Sequence, residues 1–217
     1  MAILEFPPID SADENGLIGI GGDLEPESLL LAYTNGIFPW PISKEYPLAW
    51  FSPDPRGILF YKNLHIAKSM RRFINKHKYQ VKYNTNFEAV IRQCSGVQRT
   101  HEKSTWITED IISAYIDFHK LGYAYSVEVY DQDRLVGGLY GVKINQYACG
   151  ESMFHLEDNT SKLALIDLMQ RLERFNIHWL DTQMITPVVE QLGGIYIPRN
   201  DFLKLLNKSL GNILEVK

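Results

Sequence analysis

Leu135-Val136-Gly137-Gly138-Leu139-Tyr140-Gly141-Val142 and Tyr147-Ala148-Cys149-Gly150-Glu151-Ser152-Met153-Phe154 are two apolar runs separated by the step Lys143 to Gln146. Short apolar runs rich in β-branched and aromatic residues, flanking a polar gap, read as a β-hairpin with its turn at residues 143–146. Glu151 stands where its neighbours call for something small or apolar. Burying an unpaired carboxylate costs several kcal/mol or more, so such a group needs a cation, a proton or a task at a site. Two readings stay open: a solvated hairpin end, or a site residue.

Outward from the hairpin, helices and strands alternate without a repeat or a low-complexity tract. On the N-terminal side the patterns predict helix near 65–76, strand 79–83, helix 86–95, helix 108–121 and strand 124–130. On the C-terminal side they predict an amphipathic helix from about 160 to 175 and a strand from Ile177 to Met184. A short helix near 187–192 and a last one near 200–209 follow. An antiparallel run feeding one long helix and a further strand points to the α+β class, in a layer like that of acyltransferases. Residues 1–57 differ in character. They hold one clear helix, 26–35, with Pro26 suited to its first turn and Gly36 to its end. The stretches Ile37-Phe38-Pro39-Trp40-Pro41 and Trp50-Phe51-Ser52-Pro53-Asp54-Pro55-Arg56-Gly57 cannot be helix, because closely spaced prolines remove donors and restrict the residues before them. They read as rigid aromatic loops, and the expected division is a small N-terminal domain, 1–57, on a larger domain, 58–217.

The 217 residues suffice for a sizeable core, and 45% hydrophobic with 22% charged residues is ordinary for a folded soluble chain. Cys94 and Cys149 make no metal-ligand spacing, and the six histidines form no His-x-x-x-His pair, so neither a structural nor a catalytic metal is expected. Two free cysteines fit a reducing compartment. The opening Met1-Ala2-Ile3-Leu4-Glu5-Phe6 has no basic stretch before an apolar run, and no run approaches membrane-spanning length, so the expected location is cytoplasmic, with no membrane partner. A P-loop and a Gly-x-Ser-x-Gly nucleophile are absent. Arg134-Leu135-Val136-Gly137-Gly138-Leu139 lacks the second small residue of the signature by which acetyl-CoA enzymes hold pyrophosphate.

A formal net charge of −4 argues against a nucleic-acid partner, but its distribution does not. Residues 68–78 hold five of the 22 basic residues and no acid. As a helix they would carry Lys68, Arg72 and Lys76 at i, i+4 and i+8 with Arg71 beside them, and would turn Met70, Phe73 and Ile74 to a core. This is a cationic ridge or a merely solvated face. In the strand Ile177-His178-Trp179-Leu180-Asp181-Thr182-Gln183-Met184, period two puts Asp181 and Gln183 on one face, able to converge on one hydrogen-bonded object or to serve the backbone. Trp40 and Trp106 are core plugs or base-stacking platforms.

Six stretches in order carry a resemblance over most of the chain: Gly21-Gly22-Asp23-Leu24, Gly36-Ile37-Phe38-Pro39-Trp40, Phe51-Ser52-Pro53-Asp54-Pro55-Arg56, Thr105-Trp106-Ile107-Thr108, Gly150-Glu151-Ser152-Met153-Phe154 and Asp181-Thr182-Gln183. Together they resemble the bacterial leucyl/phenylalanyl-tRNA–protein transferase family. That resemblance implies a small N-terminal domain on a GNAT-like catalytic domain. It also implies transfer of Leu, Phe and less readily Met from aminoacyl-tRNA to proteins with N-terminal Arg or Lys, marking them for N-end-rule degradation. No cofactor is implied, since the aminoacyl ester is already activated and the acceptor's α-amine is the nucleophile. By the same resemblance Gln183 contacts that amine, Asp181 polarises or orients Gln183, and Glu151 lines the site. Trp40 and Trp106 hold the terminal adenosine, and Leu139, Ala148, Leu165, Leu168 and Leu180 form the donor side-chain pocket. Lys68, Arg71, Arg72 and Lys76 grip the tRNA backbone. Ala148 stands where the family carries an aromatic, which implies a wider pocket; His155 replaces a usual Ser, and residues 187–194 lack an expected histidine. The competing expectations are a GNAT-type N-acetyltransferase using acetyl-CoA and a non-catalytic tRNA-binding module.

Overall fold

The computed structural model describes residues 2–42, 48–97 and 106–211; Met1, and Thr105 of the Thr105–Thr108 motif, lie outside the described residues. The N-terminal part is a three-stranded antiparallel sheet, in the order β1 (Leu17–Ile20), β3 (Ala49–Phe51), β2 (Phe38–Pro39), packed with helix α1 (Pro26–Thr34). Pro26 opens α1, and Gly36 follows its end at φ 73, a conformation that costs glycine nothing. The aromatic, proline-rich segments are therefore not all loop. Pro39 pairs with Trp50 on an edge strand, where a missing N–H is tolerated, and the next residue restores the ladder by donating from Trp40 N to Ala49 O.

The larger part is a seven-stranded sheet ordered β10-β4-β9-β8-β7-β6-β5. Its strands are β4 (Arg56–Phe60), β5 (Gln80–Tyr83), β6 (Ala124–Asp131), β7 (Arg134–Ile144), β8 (Tyr147–His155), β9 (Trp179–Gln183) and β10 (Ile195–Ile197). Neighbours are antiparallel except β8 and β9, which pair in parallel at Cys149↔Asp181. A parallel pair needs a long crossover, and α5 (Thr160–Arg174) supplies it. The hairpin is tighter than its sequence suggested. Lys143 and Ile144 pair with Ala148 and Tyr147, leaving only Asn145 and Gln146 in the turn, with Asn145 at φ 52. The strands β1 and β10 were not legible as strands, being short and bounded by glycine or proline.

Among the described residues five further α-helices follow: α2 (Lys68–Ile74), α3 (Phe87–Ser95), α4 (Glu109–Lys120), α6 (Pro187–Gln191) and α7 (Arg199–Leu210). Asn86, Thr108 and Thr186 cap α3, α4 and α6 by accepting from the backbone N–H three residues on. One face of the sheet carries Tyr140, Val142, Tyr147, Cys149 and Trp179, which pack with α1, α3, α4, α7 and the small sheet. The other carries Val127, Leu139, Ala148 and Leu180, covered by the apolar stripe of α5 (Leu165, Leu168, Leu172) and by Met70 of α2. The result is a mixed α+β fold, a small N-terminal part on a larger β-sheet part. Among the described residues no helix is long and apolar enough to cross a membrane.

Candidate active site

Two irregularities of the sheet face each other. Between β7 and β8 the register jumps from Tyr140↔Ser152 to Gly141↔Gly150, so Glu151 is an extra residue with no partner across the ladder. Between β4 and β9 it jumps from Ile58↔Asp181 to Gly57↔Gln183, leaving Thr182 extra. A β-bulge locally breaks pairing and re-aims side chains. Each bulge needs a glycine opposite: a Cβ on Gly141 would overlap the carbonyl oxygen of Cys149, and one on Gly57 would lie 2.7 Å from the backbone carbon of Met184. The bulges lie just beyond Cys149↔Asp181, and Gln183 Nε2 bridges the two strands by donating to Glu151 Oε1 at 2.9 Å.

Beneath this bridge lies a buried ion pair. Arg56 donates from Nε to Asp181 Oδ1 at 2.9 Å and from Nη2 to Oδ2 at 2.7 Å, and both residues are 0% exposed. The planar fork matches the carboxylate in the strongest pairing available to an arginine. Nη1 donates to Gly36 O at 3.2 Å, and the guanidinium lies 4.9 Å from the Phe38 ring centroid and 4.4 Å from that of Phe202. Tyr147 Oη donates to Asp181 Oδ2 at 2.7 Å. The fourth bond to this carboxylate comes from the backbone N–H of Gln183, at 2.9 Å from Oδ1. Gln183 needs that hold, because its φ of 61 is left-handed, a region costing an L-residue roughly 1–2 kcal/mol.

A cavity of about 350 Å3 opens above, lined by Trp40, Trp106, Leu139, Glu151, Met153, Leu165, Leu180, Thr182, Gln183, Met184, Val188 and Val189 among others. Seven residues singled out from sequence thus share one cavity: Trp40, Trp106, Leu139, Glu151, Leu165, Leu180 and Gln183. The two tryptophan rings stand 5.9 Å apart at 40°. Asp181 is a correction to the alternation expected along its strand. It sits below the cavity floor, and because Thr182 is a bulge residue, Thr182 and Gln183 both line the cavity while Asp181 meets Gln183 through the backbone. Ala148 and Leu168 are buried in the core and are not among the residues that line this cavity. Arg56 and Tyr147 were not singled out as site residues. The signal available was a lone arginine at the head of the apolar run Arg56-Gly57-Ile58-Leu59-Phe60, a cation that must find an anion when buried.

Electrostatically the Glu151 carboxyl is the exceptional group. Burial raises its pKa above the ordinary value, and hydrogen bonds from Cys149, Tyr33 and Gln183 pull it partly back, while Asp181 adds to the rise. Cys149 Sγ donates to Oε1 at 3.1 Å, and burial pushes this thiol well above its usual pKa, which keeps it a neutral donor. Burial likewise raises Tyr33 and Tyr115, whose hydroxyls bond each other closely beside the site. Among the described residues no three of His, Cys, Asp and Glu gather as a metal site.

The basic run is shorter as a helix than expected. Lys76 N bonds Phe73 O, His77 N bonds Ile74 O, and His77 takes φ 49, so α2 ends at Ile74 and Lys76 falls outside it. Lys68, Arg71, Arg72 and Lys76 are exposed, and among the described residues none is paired with a carboxylate. Lys78 differs, bound to Asp131 at 2.9 Å and Glu157 at 3.0 Å.

Residues 22–54 match the model of the leucyl/phenylalanyl-tRNA protein transferase N-terminal domain, and residues 58–207 that of the leucyl/phenylalanyl-tRNA protein transferase. A leucyl/phenylalanyl-tRNA–protein transferase of Lawsonia intracellularis is 47% identical over 201 residues, 93% of this chain and 88% of the relative. One from Flavobacterium johnsoniae is 46% identical over 203 residues, 94% of this chain and 95% of the relative. Among solved structures, a GCN5-related N-acetyltransferase from Kribbella flavida aligns with a TM-score of 0.36 at 12% identity, over 78% of this chain and 59% of that one. Matched along nearly its whole length and close to half identical to such relatives, the chain belongs to the leucyl/phenylalanyl-tRNA–protein transferase family.

Proposed function

We propose that the cavity between the two bulges is where this aminoacyltransferase joins a Leu, Phe or, less readily, Met residue to the α-amine of a protein beginning with Arg or Lys. Membership of the family makes the chain an enzyme that moves aminoacyl groups from tRNA to protein N-termini. The observation that carries the assignment of the site is the Gln183–Glu151 bridge at 2.9 Å beside an apolar cavity edged by two tryptophans. Trp40 and Trp106 would stack the terminal adenosine, which leaves the ester beside the bridge and the donor side chain among Leu139, Met153, Leu165, Leu180 and Val189. Burial stabilises that side chain by about 25 cal/mol per Å2 of apolar surface, and such a pocket separates Leu, Phe and Met only modestly.

An α-amine with a pKa near about 7.7–8.0 is mostly protonated at neutral pH and must lose its proton to attack. With Gln183 Nε2 committed to Glu151, the amide oxygen Oε1 is the acceptor that can hold the amine in line, and the Glu151 carboxylate is the anion that attracts its ammonium form. The ammonium gives one proton to solvent, the neutral amine nitrogen bonds the ester carbon, the bond to the ribose oxygen breaks, and the nitrogen's surplus proton passes to that oxygen, so tRNA leaves with the ribose hydroxyl restored. Asp181 contributes by fixing the Gln183 backbone. Lys68, Arg71, Arg72 and Lys76 would position the tRNA through phosphate contacts that read no sequence, which suits several tRNA donors. In the same reading the sheet is GNAT-like, the N-terminal domain ends near residue 57, and the enzyme works in the cytoplasm, where aminoacyl-tRNA and free thiols coexist. No cofactor is required by this chemistry.

Transfer of labelled Leu from Leu-tRNA to an Arg-starting peptide by the purified chain is the direct test. Gln183→Ala is expected to lower kcat about 100-fold with tRNA affinity unchanged. A wild-type rate for this variant removes Gln183 from the mechanism. Saturable tRNA binding without transfer would favour the non-catalytic module, and tight acetyl-CoA binding by calorimetry the N-acetyltransferase.

A further inference from the structure

We infer that Arg56 is a positioning residue for the transfer step, acting through Asp181 to hold Gln183 in the left-handed conformation that points its amide at Glu151. The inference rests on the proposed role of Gln183 and adds a residue on which that role depends. All four hydrogen bonds to the Asp181 carboxylate are accounted for: two from Arg56, one from Tyr147 and one from the Gln183 backbone. The carboxylate therefore has no bond to the Gln183 side chain, and its hold on the site is exerted through the N–H. A buried anion keeps one position only while its partners do, and Arg56 supplies the sole cation among them. The guanidinium is fixed in turn by Gly36 O and the rings of Phe38 and Phe202, so it is a rigid post and not a flexible counter-ion. Phe38 also lines the cavity, which ties the post to the wall that carries Trp40. Release of the Gln183 N–H would let φ relax from 61 and swing the amide off Glu151. A displacement of about 1 Å at a reacting centre can cost on the order of 100-fold in rate.

The test is a pair of double-mutant cycles read in kcat and KM. Arg56→Lys keeps the charge but loses the fork; Tyr147→Phe removes one bond to the same carboxylate and preserves the buried ring. Arg56→Lys is expected to lower kcat between about 10- and 100-fold with KM for aminoacyl-tRNA within about twofold, and Tyr147→Phe to lower kcat several-fold. In a Gln183→Ala background, which retains the backbone N–H but has no amide to aim, both substitutions are expected to change the residual rate less than about twofold. Full multiplicative losses in that background overturn the inference, as does a rise in KM at unchanged kcat. If Arg56→Lys does not yield folded protein, the Tyr147→Phe cycle decides by the same criterion. A wild-type rate for Gln183→Ala alone would instead refute the proposed role of Gln183, a separate outcome.

Discussion

The ionisation of Glu151 bears on stability and, on the proposed mechanism, on reaction. Burial raises its pKa in the fold above the unfolded value. The folded chain therefore binds this proton more tightly than the unfolded chain, and stability declines as pH rises from the ordinary carboxyl range through the raised pKa. Glu151→Gln removes that slope. We expect the variant to be more stable than the wild type at pH 8 and the gain to vanish in acid, seen as a difference in Tm in thermal melts at the two pH values. On the proposed mechanism, activity depends on the opposite protonation state. Below the Glu151 pKa the carboxylate is neutral and the acceptor amine charged, so log kcat/KM of the wild type should fall with a slope of about two, whereas Glu151→Gln should be slower and retain a slope of about one. Equal slopes in the two enzymes would remove Glu151 from the titrating machinery.

Single elements decide what the charges can do. In α2, Met70 is buried in the core beneath the helix, Phe73 stacks on Tyr79 at 5.2 Å, and Lys68, Arg71 and Arg72 stay exposed. The helix is anchored by its apolar face, and its basic face stays in solvent. Reversing both Arg71 and Arg72 to Glu should weaken tRNA binding and lower the slope of log K against log salt by about two, since each phosphate contact contributes about 0.9. An unaltered slope in a binding titration would make α2 a solvated face. Its fold should survive, because neither arginine has a carboxylate partner among the described residues and the hydrogen bond at stake is the exposed Arg71 Nε donation to Ile66 O at 3.0 Å. The bulged strands β8 and β9 are the complementary case: there the irregularity of the backbone, not its charge, presents Glu151 and Gln183 to one cavity.

At the scale of the molecule, the two sheets share one continuous core. Ile18, Leu29, Tyr33 and Trp50 of the N-terminal part belong to the same buried cluster as Tyr115, Tyr140, Trp179 and Phe202. Phe202 is fully buried and also carries the Arg56 guanidinium on its ring. Phe202→Ala is expected to cost about 3–5 kcal/mol. Because the core is shared, urea unfolding followed by Trp50 fluorescence and by Trp179 fluorescence in single-tryptophan variants should move to the same lower midpoint. Separate midpoints would show that the two parts unfold independently.

Helix 26–35, the alternation that followed residue 65 and the central hairpin were legible because each is written locally, in hydrophobic period, caps and breakers. Pro26, Asn86 and Thr108 act where the sequence puts them. The residues of the site were legible in part. Trp40, Trp106, Glu151 and Gln183 stood out as misfits or as pieces of a family pattern, and the cavity contains them all. What the sequence could not express was direction. Period two placed Asp181 beside Gln183, but a bulge at Thr182 set one below the cavity floor and the other in its lining. The same period gave no hint that Glu151 is the unpaired residue of a bulge, or that Gly141 and Gly57 make the two bulges possible. Nor does any local pattern join Arg56 to Asp181, 125 positions apart. Composition and periodicity determine which segments are helix or strand and which faces are apolar, because those depend on neighbours along the chain. Register, bulges and buried ion pairs depend on neighbours across the sheet, and only the folded molecule supplies them.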